Sequence, residues 1–173
     1  EICSIGHSLG YDVHVSEIWN PGNFCNKAAT LGFSGGDAFD LTVGDENGAP
    51  WDLNDPKKHK KVEMILEERR PLLLIGSPMC KAFSQLLEFN YPRMDKEKAA
   101  KLLEEALDHL RFTFKLYERQ RKAGQLFLHD HPWGSWSWKL DFVQDLAGKP
   151  GVATVLGDQC PFNQSSADAD GEG

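Results

Sequence analysis

Cys80 stands in the stretch Leu72-Leu-Leu-Ile-Gly-Ser-Pro-Met-Cys-Lys-Ala-Phe-Ser84. Chemistry in open parallel sheets gathers just past the carboxyl ends of the strands, so a thiol in the turn after this apolar run is placed like a nucleophile. A helix beginning directly after it, with Lys81 alongside, would favour the thiolate. The competing reading is a small buried hydrophobe, a common fate of free cysteine. A second cluster, His129-Asp130-His131-Pro132, also ends an apolar run and is followed by Trp133, Trp136 and Trp138. Strand residues alternate faces, so His129 and His131 share one side and Asp130 takes the other. The two imidazoles could ligate a metal in a hydrolase, but no third ligand accompanies them at a convincing spacing. The other option makes Asp130 an acid facing Cys80 from the neighbouring strand. A third set of polar residues, Glu17 to Asn20, Asp40 and Asp52, falls at further strand ends. There such groups can hold ribose hydroxyls or an adenine amino group, or simply form turns and caps.

These residues need a scaffold, and the pattern supplies one. Leu72 to Ile75, stopped by Gly76 and Pro78, suits a strand buried on both faces. Val13 to Ile18, Asp37 to Leu41, Leu126 to Leu128 and Val152 to Leu156 read as further strands. Between them the spacing predicts helices over 24–31, with Asn23 as cap, and over 55–70, opened by Asp55-Pro56. A short helical piece over 84–89 is expected, then a long helix from Asp95 to Ala123. Its apolar stripe runs through Ala99, Leu102, Leu103, Ala106, Leu107, Leu110, Phe114 and Tyr117. A last helix covers 139–147. Alternating strands and helices define an α/β, Rossmann-like, doubly wound and mostly parallel sheet with helices on both faces. Residues 1–12 form a lead-in, 13–160 the domain, and 161–173 an acidic tail expected to be disordered.

Composition narrows the classes. At 173 residues there is room for one domain with a real core. No apolar run reaches a membrane-spanning length, so an integral membrane protein is not expected. A net charge of −7 argues against tight duplex binding by this chain alone. The basic clusters Lys57, Lys58, Lys60, Lys61 and Arg111, Lys115, Arg119, Arg121, Lys122 read as solvated helix faces. The cysteines, Cys3, Cys25, Cys80 and Cys160, lack any Cys-x-x-Cys pair. They point to reduced thiols and an intracellular setting, nucleus or cytoplasm.

Taken in order, the pieces resemble the catalytic domain of S-adenosylmethionine-dependent DNA cytosine-5 methyltransferases, of the divergent kind seen in retroelement and viral polyproteins. Residues 72–84 look like that family's apolar strand followed by Pro-Cys-x-x-Phe-Ser. Leu128-His-Asp-His-Pro132 stands where the family has Glu-Asn-Val or Glu-Asn-Pro. Glu17-Ile-Trp-Asn-Pro-Gly22, Asp40-Leu41 with Trp51-Asp52-Leu53, and Asp130-His-Pro132 with Ser137-Trp138 match the polyprotein pattern, over roughly residues 13 to 160. The resemblance implies a DNA substrate, with Cys80, Asp130 and Ser84 as catalytic residues. It implies S-adenosylmethionine held near Trp19, Asn20 and Gly22, with Asp40 at the ribose, Asp52 at the adenine, and Ser77 and Pro78 beside it. The chain departs from the family's pattern in having one glycine, Gly22, in the first motif, Met79 before the cysteine, and Asp130 in place of glutamate. With only a short acidic stretch after Leu156, a fragment or a degenerate domain serving as an interaction module is the alternative expectation.

Overall fold

The computed structural model describes residues 10–84, 87 and 90–157. The lead-in before Gly10, Cys3, Cys160, the acidic tail and most of the short helix expected after Ser84 lie outside the described residues. Eight regular elements follow in chain order: β1 (Val15–Ile18), α1 (Asn23–Thr30), β2 (Gly35–Phe39), α2 (Pro56–Arg69), β3 (Leu73–Gly76), α3 (Lys96–Lys122), β4 (Leu126–His129) and α4 (Asp141–Ala147). The strands form one sheet in the order β2-β1-β3-β4, and every neighbouring pair is parallel. The fold is α/β with a parallel sheet flanked by helices, as the alternation of strand and helix patterns predicts.

Register assigns the two faces. Glu17 pairs with Ile75 and Ile75 with Leu128, while Ile18 pairs with Gly76 and Gly76 with His129. Helix α1 covers the first set: the Cys25 thiol donates to the Val15 carbonyl at 3.3 Å, and the Cys25 amide donates to Glu17 Oε1 at 2.8 Å. Helix α3 covers the second, where Tyr117 stacks on Phe127 with ring centroids 4.7 Å apart. The chain steps from β1 to β2 on one side and then crosses to β3 on the other. The crevice between the carboxyl ends of β1 and β3 is therefore the topological switch point, where open α/β sheets bind ligands.

Local chemistry explains most boundaries. Asp55 caps α2 by accepting the Lys57 amide at 2.9 Å, with Pro56 at the first helical position. Asp95 caps α3 by accepting the Lys98 amide at 3.0 Å. The cap of α1 is Gly22, left-handed at φ 93°, rather than Asn23. The free amides of that helix are met from the strand instead, by the fully buried Glu17, which accepts from Phe24 at 3.3 Å as well as from Cys25. Glu17→Ala should leave those amides without a partner in a water-free site and cost about 2 kcal/mol. Urea unfolding measures that loss, and Glu17→Gln, which keeps one acceptor, should recover part of it.

Two elements differ from expectation. The carboxyl half of α3 is buried beyond a single stripe, with His109, Phe112, Thr113 and Gln120 enclosed as well as Leu110 and Tyr117. It lies between the sheet, α2 (Phe112 stacked on His59 at 3.7 Å) and α4 (Phe114 against Phe142 at 5.5 Å). Residues 152–157 join no strand among the described residues. Val155 is 83 % exposed there, so the apolar composition that predicts a strand does not find a sheet to enter. No helix among the described residues is long and apolar enough to cross a membrane.

Candidate functional site

The turns leaving β3 and β4 meet at the carboxyl edge of the sheet. Parallel pairing continues past the strands, with the Asp130 amide donating to the Gly76 carbonyl at 3.0 Å. Ser77, Pro78 and Cys80 from the first turn and Asp130, His131 and Trp133 from the second line one cavity of about 720 Å³. Cys80 is partly exposed and outside any disulfide. The sequence expectation sets Asp130 facing Cys80 from the neighbouring strand, and both residues line this cavity. The expected helix after Cys80 is a single 3₁₀ turn, Lys81–Phe83, because Ser84 returns to an extended conformation at ψ 143°. Cys25 is a different kind of thiol. Burial first, and then the hydrogen bond to Glu17, push it up to about 12, which keeps it protonated and inert.

The remaining predicted residues are placed differently. Ser84 works locally, its hydroxyl donating to the Lys81 carbonyl at 2.9 Å and accepting the Leu87 amide at 3.2 Å. Trp19, left-handed at φ 62°, turns its side chain inward. Its indole N–H donates to Thr113 Oγ1 at 2.7 Å and its ring stacks on His109 at 4.1 Å. These contacts tie its side chain to α3. Asn20 Oδ1 accepts the Asn23 amide at 3.4 Å, and Gly22 is buried at the start of α1. Asp40 and Asp52 each form a turn through Oδ1, with Thr42 (2.9 Å) and Asn54 (3.0 Å) respectively. Oδ2 of each has no hydrogen-bond partner among the described residues. None of Trp19, Asn20, Gly22, Asp40 and Asp52 lines the Cys80 cavity.

Behind the cavity lies a polar layer that spacing alone does not reveal. His129 packs between Phe114, Tyr117 and Trp138, and burial, reinforced by His131, pushes it down to about 3. The fully buried Tyr117 hydroxyl lies 3.1 Å from the Gly76 carbonyl, 3.2 Å from that of Leu128 and 3.3 Å from His129 Nδ1. Its one proton serves a carbonyl, so we assign neutral His129 with its proton on Nδ1, donating to the tyrosine oxygen. His129 and His131 are neighbours, ring centroids 5.2 Å apart. No group of three or more His, Cys, Asp or Glu side chains among the described residues is placed to hold a metal ion.

Most residues of the basic clusters pair within the fold, while Lys57 and Lys60 stand exposed on α2. Lys58 and Lys61 pair with Asp45 at 2.8 and 2.9 Å and lie over the Trp51 ring. Lys115 and Arg119 reach from α3 to Glu63 on α2, and Arg121 pairs with Glu118. This agrees with the reading of these runs as helix faces.

No protein-family model matches the chain, and no curated protein or solved structure is detectably similar to it. The class is therefore defined by architecture alone: an α/β domain whose parallel sheet carries a cysteine and a carboxylic acid in one cavity at its carboxyl edge.

Proposed function

We propose that the chain is an S-adenosylmethionine-dependent cytosine-5 methyltransferase-like domain with Cys80 as nucleophile and Asp130 as acid. The observation that carries this reading is the shared cavity: two turns after adjacent parallel strands bring a partly exposed thiol and an exposed carboxyl to the lining of one cavity. The strand order and the motif order support it. Asp40 and Asp52 each keep a carboxylate oxygen available for ribose hydroxyls or an adenine amino group, and the Trp19–Gly22 backbone lies between β1 and α1. Bound there, the cofactor would supply an electrophilic methyl group.

The chain's own residues then have defined tasks. The Cys80 thiolate forms a bond to C6 of an extruded cytosine, and its electron pair moves into the ring. Asp130, carrying a proton, donates to N3 and stabilises the charge that develops there. Nucleophilic character appears at C5, which takes the methyl group. Loss of the C5 proton to a base returns an electron pair to the ring, and the C6–S bond breaks to release Cys80. Since Asp is one methylene shorter than Glu, Asp130 must lie closer to the base than a glutamate would.

Calorimetric titration with S-adenosylmethionine should give saturable heat, and Cys80 should be trapped covalently on an oligonucleotide carrying 5-fluorocytosine. Cys80→Ser should abolish trapping, and Asp130→Asn should slow it by about 100-fold, as expected for loss of an acid. Absence of both heat and trapping would sink the methyltransferase reading and favour a degenerate domain that retains the fold as an interaction module.

A further inference from the structure

The turn that carries Cys80 rests on a buried polar chain that the proposed chemistry leaves unassigned. His131 Nδ1 lies 2.7 Å from Ser137 Oγ, and Ser137 Oγ lies 2.8 Å from Ser135 Oγ. Ser135 Oγ donates to the Phe83 carbonyl at 3.4 Å. All three side chains are buried: His131 is 9 % exposed, Ser135 5 % and Ser137 1 %. Phe83 closes the 3₁₀ turn that Cys80 opens, and its ring meets His131 edge-on at 5.9 Å and Trp136 at 4.9 Å. Burial lowers the His131 imidazole below its ordinary value, offset in part by the nearby Met79 and Pro78 backbone. His131 Nε2 is buried with no hydrogen-bond partner. The loop after β4 thus holds the Cys80 turn at its Phe83 end, through the Ser135 hydrogen bond and the His131 ring.

We propose that His131 is a positioning residue: through Ser137 and Ser135 it ties the loop after β4 to the Phe83 backbone and so fixes Cys80 in the cavity it shares with Asp130. This rests on the reading of Cys80 as the reactive thiol of the site. Packing alone does not require the arrangement, because a phenylalanine ring could fill the same space against Phe83. What only histidine supplies is the polar atom that meets the buried Ser137 hydroxyl, and a buried hydroxyl deprived of its partner moves or pulls in solvent.

The experiment follows alkylation of Cys80 by iodoacetamide in the full chain, resolved by peptide mass spectrometry, with neither cofactor nor nucleic acid present. Cys25 is the internal control for folding, being buried and protonated. His131→Phe and Ser137→Ala should each accelerate Cys80 modification by about fivefold, as loss of one hydrogen bond from a two-state turn predicts. The double variant should be no faster than either single one, because both remove the same link. His131→Asn places a polar atom near the Nδ1 position and should stay close to wild type. Unchanged Cys80 rates in His131→Phe and Ser137→Ala, additive effects in the double variant, or His131→Asn behaving like His131→Phe would each overturn the proposal. If His131→Phe unfolds, Cys25 becomes modified, and Ser137→Ala against His131→Asn then decides by the same criteria. A protein that fails to bind S-adenosylmethionine loses the methyltransferase reading but leaves this measurement intact.

Discussion

Gly76→Ala is expected to destabilise the protein by about 2–3 kcal/mol, the usual cost of overpacking a closed core. Gly76 ends β3 on the face covered by α3. A methyl group there would fall on the Tyr117 hydroxyl and stand 3.0 Å from Thr113 Cγ2 and 3.1 Å from Ile18 Cγ2. Tyr117 has no room to retreat: its hydroxyl is held by two carbonyls and its ring is stacked on Phe127. Removing a glycine also lowers the entropy of the unfolded chain, a gain of about 0.4–1 kcal/mol that the clash exceeds. The urea midpoint should fall by about 1 M for a protein of this size. A double-mutant cycle identifies the cause. In Tyr117→Phe the nearest obstacle is gone, so Gly76→Ala should cost less there by about 1 kcal/mol, with the residue of the penalty left to Thr113 and Ile18. Equal costs in both backgrounds would show that Tyr117 is not what excludes the methyl group. Gly76 also begins the turn to Cys80, so the close packing of helix and strand fixes the origin of the site.

The parts of this molecule that are legible in its sequence are those where one residue's chemistry decides one local geometry. Asp55-Pro56 and Asp95 announce the starts of α2 and α3, and both carboxylates accept the expected amides. The uninterrupted run Leu72 to Ile75 announces a strand paired on both sides, as β3 is. Where a tertiary partner takes over a local role, the signal disappears. Asn23 looks like a cap, yet α1 is capped by Gly22 because Glu17, a strand residue, already satisfies its amides. Trp19 looks available at a strand end, but Thr113 and His109, far along the chain, draw its indole inward. The same holds at the site. The proximity of Cys80 and Asp130 follows from two adjacent strands ending in polar turns, so topology predicts it. The link from His131 through Ser137 and Ser135 to Phe83 joins turns about fifty residues apart, and Ser135-Trp-Ser-Trp138 carries no motif that reveals it.

Acid should destabilise this fold earlier than its surface charges would suggest, and His129 should account for much of the effect. Its folded-state value, about 3, lies below the ordinary imidazole value of 6.5 because the ring is enclosed by Phe114, Tyr117 and Trp138 with His131 beside it. The unfolded chain therefore binds a proton that the folded chain refuses. Stability is complete above the unfolded value and declines as pH falls from about 6.5 toward 3, where the folded form finally protonates. A depression of that size corresponds to on the order of 5 kcal/mol across the window, at about 1.4 kcal/mol per pH unit within it. His131, also lowered by burial, acts in the same direction. His129→Phe keeps an aromatic ring among aromatic neighbours and leaves the Tyr117 hydroxyl its two carbonyls, so it should fold. Urea unfolding at a series of pH values between 7 and 4 should show a distinctly shallower acid limb for the variant than for the wild type. Parallel limbs would mean that His129 already titrates near its unfolded value, and that the polar layer behind Cys80 admits a charge. Protonating His129 inside the fold would put the second proton on Nε2, among aromatic rings, and place a positive charge beside His131. The low value thus keeps the floor of the cavity neutral, and the turns that carry Cys80 and Asp130 rest on an uncharged polar layer across that pH window.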